Sequence, residues 1–253
     1  MNLLAERTLS FFINNFPSWK IILIGGPLAL LWSLMCLYFS GYVKAHMSWR
    51  TGYTRKIFHF LIFTSVVAIQ SIWGTPVVCL FGGMCTLVIL YAIVRGRDNL
   101  FYEAMAREKD EPHRTYYIMV PYFATLIGGL MSNILFSRAA IVGYLVAGVG
   151  DATGEIFGTR FGRHLYKVPS LASVRAIRSL EGSLAVFVMS VGAITAAGFI
   201  LPEMRFTTES LILIPLLAIV STGVEAVSPH GWDNTTMQVI PSFLVYVIFF
   251  LPR

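Results

Sequence analysis

Residues 139–183 read AAIVGYLVAGVGDATGEIFGTRFGRHLYKVPSLASVRAIRSLEGS. The run Ala139–Gly150 carries no charge, and neither does LAVFVMSVGAITAAGFI, which begins at Leu184. Between them lie Asp151, Glu155 and Glu181 with Arg160, Arg163, Lys167, Arg175 and Arg178. Charge packed this densely between two segments fit for hydrocarbon is expensive unless it faces a polar cavity or an aqueous interface.

The rest of the chain fixes the setting. Its 253 residues are 56% hydrophobic and 13% charged, with a mean hydropathy of +0.71. A soluble domain of this length has roughly a quarter of its residues charged. Several apolar runs approach the roughly 20 residues that cross a bilayer as a helix. The expected fold is therefore all-α: one polytopic integral membrane domain over 1–253, with about eight transmembrane helices and seven as the alternative. Spans are placed near 21–41, 57–73, 75–94, 116–136, 138–157, 182–201, 210–227 and 236–251. Residues 1–20, with Leu3, Leu4, Leu9, Phe11, Phe12, Ile13, Phe16 and Trp19 among polar neighbours, read as an interfacial segment rather than a cleavable leader.

Basic residues then sort by loop. Residues 42–56 carry Lys44, Arg50, Arg55 and Lys56, and residues 95–115 carry Arg95, Arg97, Arg107, Lys109 and Arg114. Residues 158–181 add the five bases named above, leaving Arg7, Lys20, Arg138, Arg205 and Arg253 for the opposite side. The positive-inside rule makes the basic side cytoplasmic. The net charge of +6 follows from these loops and calls for no nucleic acid. The 95–115 loop mixes in Asp98, Glu103, Glu108, Asp110 and Glu111, and is expected to be mostly solvated surface. Cys36, Cys79 and Cys85 lie in apolar runs without metal-ligand spacing, so free thiols are expected.

Within the charged stretch, Gly150, Gly154, Gly158 and Gly162 recur every fourth residue and form one smooth helical stripe. Close helix packing accounts for such a stripe, and so does close approach of a ligand. Asp151 and Glu155 form a second stripe one residue along. Two carboxylates one turn apart can hold Mg²⁺, a hard cation that prefers oxygen. Arg175 and Arg178 return the chain to the next span, where Ser179 and Ser183 can cap the helix. Arginine beside the N–H groups of a helix start suits phosphate. Glu181, in this basic setting, can orient an arginine or help hold a metal.

Two more clusters lie on the expected cytoplasmic side. Arg55-Lys56-x-x-His59 puts three polar side chains on one helical face. Glu225-x-x-Ser228-Pro229-His230-Gly231-Trp232-Asp233-Asn234 has acids and no base, on the side where bases are the rule. No GxxxxGK[ST], Rossmann fingerprint, G-x-S-x-G or H-E-x-x-H occurs, which excludes the familiar nucleotide and hydrolase motifs.

Taken in order, these elements resemble the CTP-dependent lipid-alcohol kinases (dolichol kinase, phytol kinase and the yeast-type diacylglycerol kinase). These belong to the broader superfamily that includes the phosphatidate cytidylyltransferases. The matching elements are Arg55-Lys56-x-x-His59, Gly150-Asp151-x-x-Gly154-x-x-x-Gly158-x-x-x-Gly162, Arg178-Ser179-Leu180-Glu181-Gly182-Ser183, and Glu225 with Asp233-Asn234. The family usually has Ala at the position of Gly154 and Lys at that of Arg178.

The resemblance implies transfer of the γ-phosphate of CTP, with Mg²⁺, to the hydroxyl of a membrane lipid alcohol: a polyprenol, phytol or diacylglycerol. It implies catalytic roles for Asp151, Glu181 and His59. It implies nucleotide contacts from Arg55, Lys56, Gly154, Gly158, Arg160, Gly162, Arg163, Lys167, Arg175, Arg178, Ser179, Gly182 and Ser183. Metal ligands are expected among Asp151, Glu155, Glu225, Asp233 and Asn234. CDP-lipid synthesis is the competing reaction, and transport the competing class. Transport predicts midplane charges and repeated halves, which this sequence does not show.

Overall fold

The computed structural model describes residues 3–169, 177–204 and 206–251. These fall into two compact units, Met1–Thr115 and Tyr116–Arg253, each described by itself. Nearly all ordered structure is helical, as the hydropathy requires, with one short β-ribbon that the sequence reading did not anticipate.

The first unit begins with α1 (Leu3–Asn15), followed by α2 (Trp19–Met47), α3 (Thr51–Trp73), α4 (Thr75–Arg95) and the single turn α5 (Leu100–Glu103). On α1, Leu4, Leu9, Phe12 and Ile13 are exposed, the pattern of a helix with an apolar side left uncovered. The α3–α4 hairpin turns on Gly74, whose φ of +81° suits glycine, and Pro76 starts α4. Gly41 lets α5 approach α2: a Cβ there would lie 2.8 Å from the Leu100 carbonyl oxygen.

The 95–115 loop departs from expectation. Part of it is folded inward: Tyr102, Ala104, Met105, Ala106, Arg107, Asp110 and Arg114 are buried, while Arg95, Arg97, Asp98, Glu108, Lys109 and Glu111 are exposed. Lys44, near the end of α2, reaches Glu108 at 2.8 Å and Glu103 at 3.3 Å. Arg114 meets Glu103 at 2.6 Å, Thr51 donates to Glu108, and Arg107 pairs with Asp110 at 2.8 Å. The mixed signs form an ion-pair network that runs from the exposed Glu108 to the buried Arg107–Asp110 pair, over the apolar Tyr102, Ala104, Met105 and Ala106.

The second unit contains α6 (Tyr116–Phe136), α7 (Ala140–Leu145), α8 (Ala152–Phe161), the ribbon β1 (Leu165–Lys167) and β2 (Ile177–Ser179), then α9 (Leu180–Ile200), α10 (Ser210–Val227) and α11 (Asp233–Val245). Ser137, at φ +50°, makes the bend between α6 and α7. Beyond it, Tyr144 returns to Asn133 and Gly129 of α6. Between α7 and α8 the helix widens into a π-turn over Val146–Asp151. Such turns add a residue to the coil and often mark functional positions. α11 packs on α6 and α7 where Gly128 and Gly143 leave room for Gln238 and Ser242.

Among the described residues, six helical stretches are long and apolar enough to cross a membrane, consistent with a multi-pass membrane protein. The expected spans 116–136 and 138–157 both fall within one of them, Tyr116–Phe161, which bends at Ser137. The expected span 236–251 is helical but is not among the six. The helix there, α11, begins three residues earlier and carries Asp233, Asn234 and Gln238 in its first half. All three cysteines are free thiols.

Candidate active site

The second unit brings together residues far apart in the chain, and Arg178 is the centre of that convergence. Strand β2 pairs antiparallel with β1, Tyr166 opposite Arg178. Side chains alternate across a strand, so these two share one face of the ribbon. Arg178 Nε meets Glu225 Oε1 at 2.8 Å, and Nη2 meets Asp233 Oδ2 at 2.9 Å. Nη1 donates to the backbone carbonyls of Glu225 and Ser228. One guanidinium thus ties the last turn of α10, the loop after it and the first residue of α11. A cation against the last carbonyls of α10 also suits the negative end of that helix.

Asp151 completes the charge pattern. It is buried at the end of the π-turn, and Glu225 is buried too. Burial works against the charge of Arg178. Glu225, Asp233 and Asp151 outweigh it and hold the guanidinium above its ordinary pKa. Glu225 and Asp233 pair with the guanidinium directly, and Asp151 adds to the negative potential that it experiences.

Tyr166 adds a hydroxyl 2.7 Å from Ser183 Oγ. Burial, followed by the negative charge of Glu225, raises its pKa. A backbone bond from His230 to the Pro169 carbonyl, 2.9 Å, fastens the 228–232 loop to the end of the ribbon region. The acid-rich tail loop and the basic stretch are therefore partners, as their shared predicted side suggested.

Other expected site residues have different surroundings. Glu181 accepts hydrogen bonds from the backbone N–H groups of Arg163 and His164, and its Oε1 lies 2.7 Å from the His164 ring. It clamps the turn that leads into β1. Ser179 caps α9, accepting from Gly182 N. Asn234 donates to the Pro121 carbonyl and to Thr125, fastening α11 to α6.

The glycine stripe faces α9. A Cβ at Gly154 would lie 2.5 Å from Val186 Cγ2, one at Gly158 3.1 Å from Ser179 Oγ, and one at Gly182 2.9 Å from the Gly154 carbonyl oxygen. A Cβ at Gly162 would meet the Gly158 carbonyl oxygen at 2.3 Å. The space these glycines leave is filled by α9, by Ser179 and by the turn itself, so they allow the close packing of α8 on α9.

Arg160, Arg163 and Lys167 are exposed, and among the described residues no ion pair engages them. Arg160 lies over the Phe161 ring. Glu155 is half-buried on α8. Arg175 lies outside the described residues. Arg55, Lys56 and His59 belong to the first unit, where Lys56 is buried and the His59 ring lies 4.4 Å from that of Phe63. Among the described residues, no group of three or more His, Cys, Asp or Glu side chains is arranged to hold a metal by itself.

Comparison with known proteins gives one informative similarity. Over 114 residues, 45% of this chain, the sequence is 34% identical to a protein named phytol kinase from Synechocystis sp.. The match spans 46% of that protein, so it covers less than half of either sequence. No family model matches the chain. No solved structure matches it.

Proposed function

We propose that this protein is a membrane lipid kinase that transfers the γ-phosphate of CTP to the hydroxyl of a lipid alcohol: a polyprenol, phytol or diacylglycerol. The observation that carries the reading is the convergence of Asp151, Arg178, Glu225 and Asp233. It occurs in a chain with membrane-length apolar helices and partial similarity to a phytol kinase. The choice of CTP follows the ordered motif resemblance.

Phosphoryl transfer asks a protein for positioning and charge neutralisation more than for covalent chemistry. The acceptor oxygen bonds to the γ-phosphorus as the bond to the β,γ-bridging oxygen breaks, and CDP leaves. The hydroxyl proton passes to a carboxylate, assigned to Asp151. Glu225 and Asp233 would hold Mg²⁺, a hard cation that prefers carboxylate oxygen. When bound, the ion neutralises phosphate charge, and it usually shares one or two protein carboxylates with the phosphates of its nucleotide. Arg178 keeps the two carboxylates together.

The test is product analysis with purified protein in lipid nanodiscs, pairing each of the four nucleoside triphosphates with each class of lipid alcohol. The expected products are phospho-lipid and CDP. CDP-lipid with pyrophosphate would assign the competing cytidylyltransferase reaction instead. Asp151→Asn is expected to lower kcat by about 10²–10⁴-fold, the usual contribution of a positioned general base. Near-normal turnover in that variant would remove Asp151 from the chemistry.

A further inference from the structure

The ribbon has a second face. Tyr166 and Arg178 point toward the carboxylates, so alternation sends Leu165, Lys167, Ile177 and Ser179 the other way; Ser179 is buried against α8, and the other three are exposed. Leu165 is 63% exposed and Ile177 44%, and Leu180, which directly follows β2, is 60% exposed. Phe157 and Phe161, one turn apart on α8, are exposed as well. Interspersed among them are Arg160, Arg163 and Lys167, all exposed. Large apolar side chains beside unpaired bases are what an amphipathic membrane-surface element presents.

Two further observations identify what covers this face. Leu180 N donates to the His164 carbonyl at 3.0 Å, which anchors the base of the ribbon to the first turn of α9. α9 is itself long and apolar enough to span a bilayer, and its exposed stripe continues through Leu184 and Val188. A three-residue strand reaches only about 10 Å, so the ribbon cannot leave the interfacial zone where the span begins. The charge there is positive, complementary to anionic headgroups.

We infer that the outward face of the β1–β2 ribbon rests in the anionic phospholipid headgroup layer of the bilayer that α9 crosses. Leu165, Ile177 and Leu180 enter the apolar boundary, and Arg160, Arg163 and Lys167 lie at phosphate level. The ribbon then joins two environments, with the carboxylate centre on one face and lipid on the other. This docking surface is independent of which reaction the site performs.

The test reads depth rather than turnover. A solvatochromic fluorescent amino acid replaces Leu165 or Ile177 by nonsense suppression, and the full chain is placed in bilayers of phosphatidylcholine, with or without phosphatidylglycerol. The expected result is blue-shifted emission that brominated lipid quenches and aqueous iodide does not. The shift should deepen with phosphatidylglycerol and lose that dependence in Arg160→Gln/Arg163→Gln/Lys167→Gln. Red-shifted, iodide-quenched emission in both bilayers overturns the proposal. Equal insertion in both compositions overturns the anionic-headgroup assignment.

Discussion

Arg178 spends its donors on Glu225, Ser228 and Asp233, and that bonding determines what its replacement costs. Its side chain is only 13% exposed, so losing the guanidinium leaves carboxylates unpaired in a low-dielectric setting. Arg178→Met is expected to destabilise the protein by about 3–5 kcal/mol, the usual cost of breaking a buried pair from one side. Arg178→Lys keeps the charge but cannot fork between two carboxylates, and should fall between wild type and Met. Thermal unfolding in detergent gives the ranking, and equal stability of the Met and Lys variants would refute the bridging role. The sequence placed the base-free acidic loop and the basic stretch on one side, with Arg178 expected to meet phosphate and Glu225 and Asp233 expected to meet a metal. It could not show that Arg178 answers those acids directly, since phosphate and carboxylate attract the same guanidinium. Tyr166 was missed for a related reason: three residues of strand are too few for a two-residue period to stand out. Glu181 bonds to backbone N–H groups, and no residue pattern advertises such a contact.

Between elements, the crossing of α8 and α9 sets the frame on which Asp151 and Ser179 stand. The four-residue glycine spacing was legible, but packing and ligand approach both produce it. The position of Val186 and Gly182 on α9 shows the packing directly. Gly154→Ala gains up to about 1 kcal/mol of helix propensity. It also drives a methyl against a stiff β-branched side chain, and overpacking of that kind costs about 1–3 kcal/mol. The clash should win, lowering the midpoint of thermal unfolding. Gly154→Ala/Val186→Ala should recover what Gly154→Ala alone loses. A double-mutant cycle without coupling would show that the helices part to admit the methyl.

The 95–115 loop carries the pH-dependent prediction. Burial alone would raise Glu108, but hydrogen bonds from Lys44, its own backbone and Thr51 bring it down to about 2. Burial likewise opposes ionisation of Glu103, and Arg114 with Lys44 holds it below the usual carboxylate range. Both folded pKa values lie below the unfolded value of about 4.3. Their stabilisation is therefore complete above that pH and disappears as pH falls toward about 2. Limited proteolysis of the loop should accelerate across that window, and Glu108→Gln should flatten the dependence.

At the scale of the whole molecule, the six membrane-length stretches follow from hydropathy alone, and their number differs from the expected eight for local physical reasons. One stretch, Tyr116–Phe161, holds two expected spans and bends at Ser137, where the sequence divides them, and the final helix trades apolar residues for the polar groups that fasten it to α6. Within the second unit, the path of the chain makes a stricter statement about sides. The ribbon region and the 228–232 loop are joined by the His230–Pro169 bond, so both lie at the same membrane face. α9 and α10 intervene, each long enough to cross, which places the connection between them at the opposite face. The positive-inside rule, applied to Arg160, Arg163, Lys167 and Arg178, predicts that the first face is the cytoplasmic one. An impermeant thiol reagent should therefore label Arg163→Cys only from the cytoplasmic side and Thr208→Cys only from the other. Both positions are exposed, and the native cysteines all lie within apolar helices. Labelling of both from one side would mean that α9 and α10 do not both cross. The tail loop could then reach Arg178 only if one of those helices lay along the membrane. In that arrangement the carboxylates would still meet the guanidinium, but the site would lose the fixed depth at which a lipid hydroxyl is expected to meet it.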